Sequence, residues 1–495
     1  MSRRAVVIGA GLAGMLAAAA VSPAVDEVIV LDRDDLPEGP EHRKGLPQGR
    51  HAHLLMAGGL AAMEQLLPGA DLRRRLLDRG AREISLGQDM VVRTPEGWFR
   101  RWRHPGPRMI SCSRALLDWV VREVVRERTG ADILKAHAVG LLGGARRVHG
   151  VRVAADGNEA GTGAGTGAGA GTGAELAAGT GAGAGAELAA DLVADLVVDA
   201  SGRGSRVVRW LDALGVSGIR ERTVDAGLVN ATRIYRTPAG AERFPLTMVQ
   251  SDPYVGRPGR SGMVMPIEGD RWMVSLGGTR GGEPPADPEG FLRYTLDLPD
   301  PIVGRLISGA EPLTGIHLSR STSNVRRYLE KARDWPEGLV VLGDALATFN
   351  PAYGQGMSVA ALGARVLREE LRQAGPTAPG LARRVQRGVA GPVEAAWAVA
   401  VGQDIWYPGS RGGRRGPAER LVTAYSRRLT KAATGSYPAA AALWDVTSLT
   451  AGPARLLRPG TLLATLNGPL LPPAPRPPLT EAEQKILRVL DHTTE

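Results

Sequence analysis

The chain has 495 residues, 43% of them hydrophobic, and carries a formal net charge of +10. That length exceeds what one core holds, so two or three domains are expected, and a single cysteine, Cys112, excludes any intrachain disulfide. No stretch reaches the ~18 uninterrupted apolar residues of a membrane span, and the arginines that dominate the charge are spread along the chain without interleaved aromatics or a nucleic-acid motif, which argues against nucleic acid as a partner.

Ser2-Arg3-Arg4 before an apolar run has the form of a twin-arginine export signal. Three glycines interrupt that run, however, and the next strand and acid stand in the register of a nucleotide-binding unit, so a cytoplasmic protein is expected. The strand Ala5 to Ile8 leads into Gly9-Ala10-Gly11-Leu12-Ala13-Gly14 and a small-residue helix, Leu12 to Val21. Gly9 permits the tight turn, Gly11 lets backbone approach a pyrophosphate, and Gly14 lets helix and strand pack closely. The helix N-terminus then offers N–H groups and a positive dipole end to phosphates. A second strand, Val28 to Leu31, ends at Asp32, near the ~20-residue spacing at which an acid accepts ribose hydroxyls.

Leu116, Val120, Val124 and Leu117, Val121, Val125 form adjacent stripes at helical spacing, which predicts a core-facing helix over Arg114 to Arg126 capped by Ser111 or Ser113. Arg114 lies in its first turn, where the dipole disfavours a cation and an anionic partner offsets that cost. Residues 157–190 are low-complexity Gly, Ala and Thr, read as an expanded surface loop between the strands Val148 to Val153 and Leu192 to Val198. Asp199-Ala200-Ser201-Gly202 is a second glycine-bearing segment at a strand end. From Gly227 to Gly277 strands and turns dominate, with a hairpin of Met263 to Ile267 and Trp272 to Leu276. The methionines Met248, Met263, Met265 and Met273 are candidates to line an apolar pocket, although core packing is the default for each.

The third segment begins with the buried strand Leu339 to Leu342 and runs through Gly343-Asp344 and Asn350-Pro351-Ala352-Tyr353 to Gly354-Gln355-Gly356-Met357. Asp344 at the strand's carboxyl end suits ribityl hydroxyls. The helix starting near Met357 presents its N-terminus to the pyrimidine edge of a flavin, where charge resides on reduction. Together the three segments spell the parts that hold FAD from adenine to ring. From about Gly380 an Ala-, Leu- and Arg-rich helical region extends to the chain end, closing in the helix Glu481 to Leu490. Arg411, Arg414, Arg415, Arg420, Arg427 and Arg428 within it read as a solvated face that leaves peripheral contact with a membrane or acidic partner open.

Taken in this order, the segments resemble single-component flavin monooxygenases of the p-hydroxybenzoate hydroxylase and squalene epoxidase type. Gly45-Leu46-Pro47-Gln48-Gly49-Arg50-His51-Ala52-His53, with Gly343 to Met357, further resembles the bacterial epoxidases of polyether ionophore biosynthesis, of the monensin and lasalocid type. The resemblance implies an α/β fold. A Rossmann-like FAD-binding domain would occupy 1–85, 111–215 and 325–378, a mixed-β substrate domain 86–110 and 216–324, and a helical C-terminal region 379–495. It implies that NAD(P)H reduces FAD, that O2 adds at flavin C4a, and that the hydroperoxide epoxidises alkenes of a lipophilic linear polyene polyketide, free or carrier-bound. No catalytic side chain and no metal are expected on that reading. The cofactor contacts it implies are Gly9, Gly11, Leu12, Ala13, Gly14, Asp32, Arg33, Arg50, His53, Arg114, Val139, Asp199, Gly202, Gly343, Asp344, Pro351, Gly354, Gln355, Gly356 and Met357, with Tyr353 joining Met248, Met263 and Met265 at the substrate. A flavin halogenase would carry a Trp-x-Trp-x-Ile-Pro segment and a lysine beside the flavin, and this chain has no such segment and five lysines in all. An aromatic hydroxylase, a prenyl-chain reductase and a non-catalytic FAD-binding interaction protein remain as alternatives.

Overall fold

Strand Arg4–Ile8 has four consecutive buried apolar residues, the pattern of a strand covered on both faces. It is the centre of a parallel five-stranded sheet in the order Leu339–Val341, Leu196–Asp199, Arg4–Ile8, Glu27–Asp32, Asp132–Lys135. Val6 pairs with Val197 on one side and Ile29 on the other. The computed structural model describes residues 2–104, 106–154, 188–320 and 322–492, and most of the low-complexity segment therefore lies outside the described residues.

Helices Leu12–Val21, Arg114–Thr129 and Gly356–Ala374 cover this sheet. The predicted helix at Arg114 is capped by Ser113, whose side chain accepts from the Leu116 N–H, and ends at Gly130 in the left-handed conformation, φ 60°. Ser111, the other candidate cap, instead donates to the Pro266 carbonyl at 2.6 Å. An antiparallel sheet of Leu188–Val193, Arg147–Ala154 and His137–Gly144 joins the same core through Val148 and Val151. The expected strand Leu192 to Val198 is thus two strands. The chain turns at Ala194 and Asp195, whose N–H groups bond the His149 and Arg4 carbonyls, and the Asp195 carboxylate accepts the Arg4 N–H at 2.9 Å.

The mixed-β region is a seven-stranded sheet in the order His317–Ser319, Val229–Arg236, Arg271–Gly278, Arg260–Ile267, Leu246–Val249, Met90–Thr94, Gly97–Trp98. The predicted hairpin is its centre, turning at Gly269 and Asp270, both with left-handed φ. One face packs on helices Pro288–Leu296 and Ile302–Ile307. The C-terminal region is helical as expected. Leu381–Asp404 lies against Gly356–Ala374, and Pro417–Ala433, Tyr437–Thr447 and Pro459–Asn467 share a small core around Leu429 and Trp444. Its last helix, Glu481–His492, returns to the seven-stranded sheet, placing Leu487 and Leu490 in that core and pairing Glu483 with Arg101 at 2.6 Å.

Candidate cofactor and substrate site

The three glycine segments meet at the carboxyl ends of the parallel strands. Gly9 has φ +100°, and a Cβ there would lie 2.6 Å from the Ala200 carbonyl oxygen, so the first and second segments pack backbone to backbone. A Cβ on Gly14 would lie 1.7 Å from the Gly9 oxygen, which makes that glycine obligatory for the turn. Gly343 has φ +62°, and its Cβ would meet the Ala13 Cβ at 2.7 Å, joining the third segment to the first. Gly11 differs: a Cβ would meet only Arg43 Nη2, at 3.4 Å. A Cβ at Gly202 or Gly356 would meet nothing within 4 Å. Space is therefore open beside the backbone at Gly202 and Gly356, whereas a Cβ at Gly354 would meet Met56 Cε at 3.2 Å.

Arginines gather around this turn. Arg43, Arg114 and Arg122 line one small pocket with Asp118, which pairs with Arg114 at 2.7 Å. The anionic partner that offsets Arg114's position in the first helical turn is thus Asp118, four residues on. Asp32 is buried, and its carboxylate accepts from the Ala10 N–H at 2.6 Å, the Asp34 N–H at 3.0 Å and Arg43 at 3.0 Å. A ribose would share this acid with Arg43. Asp199 is fully buried and holds its own loop, accepting from the Ser201 N–H and hydroxyl and from the Ser205 hydroxyl. Arg33 is exposed beyond Asp32, and Val139 is half-buried on the strand that starts at His137. Burial pushes the Asp344 carboxyl up, and the charges of Arg203 and Arg114 draw it back down, so residues of the second and third segments and the Arg114 helix share one electrostatic site.

Between the seven-stranded sheet and the loop Asn350–Gly354 lies an open cavity of roughly 140 Å³. Leu54, Leu228, Met248, Val249, Met263 and Leu276 give it an apolar wall; Pro351, Tyr353 and Gly354 give it the wall that faces the glycine segments. Met265 and Met273 are not part of it: both side chains are fully buried in the core with Met109 and Leu246. Gln355 is buried and reaches away, its Nε2 donating to the Thr447 carbonyl at 3.4 Å, while the buried Met357 side chain packs in the core of the parallel domain.

Among the described residues Asp404 is the single charged residue on the cavity wall, and it comes from the end of the C-terminal helix Leu381–Asp404. Buried to 1% exposure, it accepts from Asn324 Nδ2 at 2.7 Å, Tyr353 Oη at 2.7 Å and Asn350 Nδ2 at 2.9 and 3.1 Å. These contacts fill the roughly four acceptor positions of a carboxylate. Burial raises the Asp404 pKa, and the side-chain donors oppose the rise. Asn350 completes the brace: its N–H donates to Asn324 Oδ1 at 2.7 Å and its Oδ1 accepts the Ala352 N–H at 3.0 Å.

The loop at Gly45–His53 passes from the arginine pocket, through Leu46 and Gly49, to the cavity at Ala52. His51 Nδ1 lies 2.9 Å from Thr232 Oγ1, which lies 2.9 Å from Ser275 Oγ on the cavity wall. Burial lowers the pKa of His51 to about 4, and that of His53, also depressed by Arg114, to about 3, so both rings are neutral at pH 7. Arg50 points outward, 3.4 Å from His317 Nδ1.

No protein-family profile matches the chain. It is 30% identical over 409 residues to Protein Rv3254 of Mycobacterium tuberculosis, an alignment that covers 81% of this chain and 80% of that one. The chain belongs to the family of Protein Rv3254. Among solved structures, the flavin-dependent brominase Bmp2 superposes with a TM-score of 0.59 at 14% identity, covering 94% of this chain and 97% of that one. PqsL of Pseudomonas aeruginosa, described as a probable FAD-dependent monooxygenase, gives 0.53 at 17% identity, covering 82% and 97%. This member of the Rv3254 family therefore has the fold of FAD-dependent monooxygenases and halogenases.

Several site residues carried no signal in the sequence. Arg43 and Arg122 look like any other arginine of an arginine-rich chain, and Asp404 is a lone acid 51 positions beyond its partner Tyr353. Thr232 and Ser275 are alternate-facing strand residues whose facing becomes legible only once the register Thr232 to Ser275 is set.

Proposed function

We propose that this chain is an FAD-dependent monooxygenase that epoxidises alkenes of a lipophilic polyene polyketide. The observation that carries the reading is the convergence of the three glycine segments at the carboxyl ends of the parallel strands, with a cavity that has an apolar wall and is lined by Pro351, Tyr353 and Gly354 of the third segment. FAD fits the residues present. Gly9, Gly11 and the helix at Leu12 would receive the pyrophosphate with Arg43 and Arg114 beside it, Asp32 would serve the ribose, Asp344 the ribityl chain, and Gly354 to Gly356 the ring. When bound and reduced by NAD(P)H, FAD would supply the activation of O2, from which one oxygen atom goes to the alkene and the other to water.

The chain's own residues then position and insulate. The first-turn N–H groups of the helix at Gly356 have no partner inside the helix and favour negative charge on the ring edge nearby, worth ~0.3–1 kcal/mol or more when buried. Met248, Met263 and Leu276 hold an apolar chain and exclude water, which protects a reactive oxygen donor from unproductive decay. Asp404 keeps Tyr353 and the Asn350–Gly354 loop in place. No lysine among the described residues lines the cavity, which weighs against halogenation. One observation favours aromatic hydroxylation as the second reading: the hydroxyl chain Ser275–Thr232–His51 could take a proton from a phenol.

The test is purification of the full chain, release of its flavin by denaturation, and mass spectrometry of products from candidate polyenes supplied with NAD(P)H and ¹⁸O2. FAD in the released fraction and one labelled oxygen per reacted alkene are expected. FMN or no flavin, label from water, or turnover confined to phenols would overturn the reading.

A further inference from the structure

Eight of the fifteen large apolar side chains exposed among the described residues lie between positions 421 and 471. Leu421 is 73% exposed, Leu457 65%, Leu463 59%, Leu466 63% and Leu470 69%. The helices that carry them are packed together: Tyr425 Oη donates to the Leu456 carbonyl at 2.5 Å, and Arg428 donates to the Thr465 and Leu466 carbonyls at 3.1 and 2.7 Å. Leu421 stands one turn before Tyr425 on the same helical stripe. Such a concentration of bare leucine on a folded surface marks something that covers it.

The same stretch holds most of the charge. Residues 411–471 contain nine basic and two acidic residues, a net +7 out of the chain's +10. Arg411, Arg414, Arg415, Arg420, Arg427 and Arg458 are exposed. A second copy docked on this face by a twofold axis would bring +7 against +7, so charge disfavours self-association. Leucines inserted beside a ring of arginines instead match the interface of an anionic bilayer, where apolar side chains enter the acyl boundary and cations meet head groups. No helix among the described residues is long and apolar enough to cross a membrane, so the contact is with the surface.

We propose that the face built from helices Pro417–Ala433 and Pro459–Asn467 docks this protein on an anionic lipid surface. The face adjoins the cavity. Arg427 of the first helix lies over the Tyr254 ring at 5.0 Å, Tyr254 is 6.3 Å from the Trp406 ring, and Ser251 bonds Tyr407, both on the cavity wall. Docking therefore brings the Ser251–Tyr407 edge of the cavity to the bilayer, where a lipophilic substrate partitions. The surface is independent of the cofactor, so failure of the flavin reading leaves it standing.

The experiment is co-sedimentation of the full chain with phosphatidylcholine vesicles, with and without about a third phosphatidylglycerol. Partition onto the anionic vesicles about tenfold above the neutral ones, lost at high salt, is expected. Leu463→Gln with Leu466→Gln, and separately Arg414→Gln with Arg420→Gln, should each lower it about tenfold at unchanged thermal stability, since all four side chains are exposed. Equal partition onto both vesicles, or variants that bind like the parent, would overturn the proposal. So would a concentration-dependent dimer in sedimentation equilibrium that the leucine variant abolishes, because the face would then belong to a second copy.

Discussion

Replacing Asp404 tests whether the C-terminal helix braces the site. Asp404→Asn keeps the volume but turns one of two acceptor oxygens into a donor, facing Asn324 Nδ2, Asn350 Nδ2 and Tyr353 Oη, all within 3.1 Å of the carboxylate. At least one buried donor is then left without a partner, at ~1–3 kcal/mol. A melting curve would barely register this. At ~2.1 cal/mol/K per residue, a chain of 495 residues has an unfolding entropy of ~1 kcal/mol/K, so the shift is only ~1–3 °C. Local hydrogen exchange is the sharper assay, because ~1–3 kcal/mol multiplies local opening by ~5- to 150-fold. The amides to follow are Asn350 and Ala352, whose N–H groups bond Asn324 Oδ1 and Asn350 Oδ1. Asp404→Leu, which removes every acceptor, should open them further, at the ~3–5 kcal/mol typical of breaking a buried charged contact. Unchanged exchange at both amides in Asp404→Asn would refute the brace.

Gly14→Ala and Gly11→Ala should fail differently. A Cβ at Gly14 collides with the Gly9 oxygen at 1.7 Å and should cost at least about 3 kcal/mol or prevent folding, whereas Gly11→Ala should fold normally and lose about tenfold or more in FAD affinity, ~1.4 kcal/mol, by fluorescence titration. The neutral state of His51 should make the protein acid-labile. Its folded pKa of about 4 lies below the 6.5 of the unfolded ring, so the unfolded state binds more protons between those values and stability falls as pH drops through 6.5. That amounts to about 2 kcal/mol between pH 7.5 and 5, read from urea midpoints, and His51→Gln should remove this share of the slope.

Local signals carried the first half of the fold. The turn at Gly9, the apolar run of Arg4–Ile8, the stripes of Arg114–Thr129 and the hairpin at Gly269–Asp270 each depend on residues within a few positions of one another, so periodicity and turn chemistry suffice to read them. The same locality explains why Met248 and Met263 could be named for the cavity but Met265 could not be told from them. All three are strand methionines, and only the packing of the sheet decides that Met265 joins Met109 and Met273 in the core. The split of Leu192 to Val198 into two strands was likewise invisible, because Ala194 and Asp195 turn to bond His149 and Arg4, partners remote in sequence. What only tertiary structure decided are the convergences between separate elements: Arg43 on Asp32, and Asp404 beneath Tyr353. Hydrogen bonds and ion pairs between separate elements leave no periodic trace in the chain, since a single charged side chain is all that each requires.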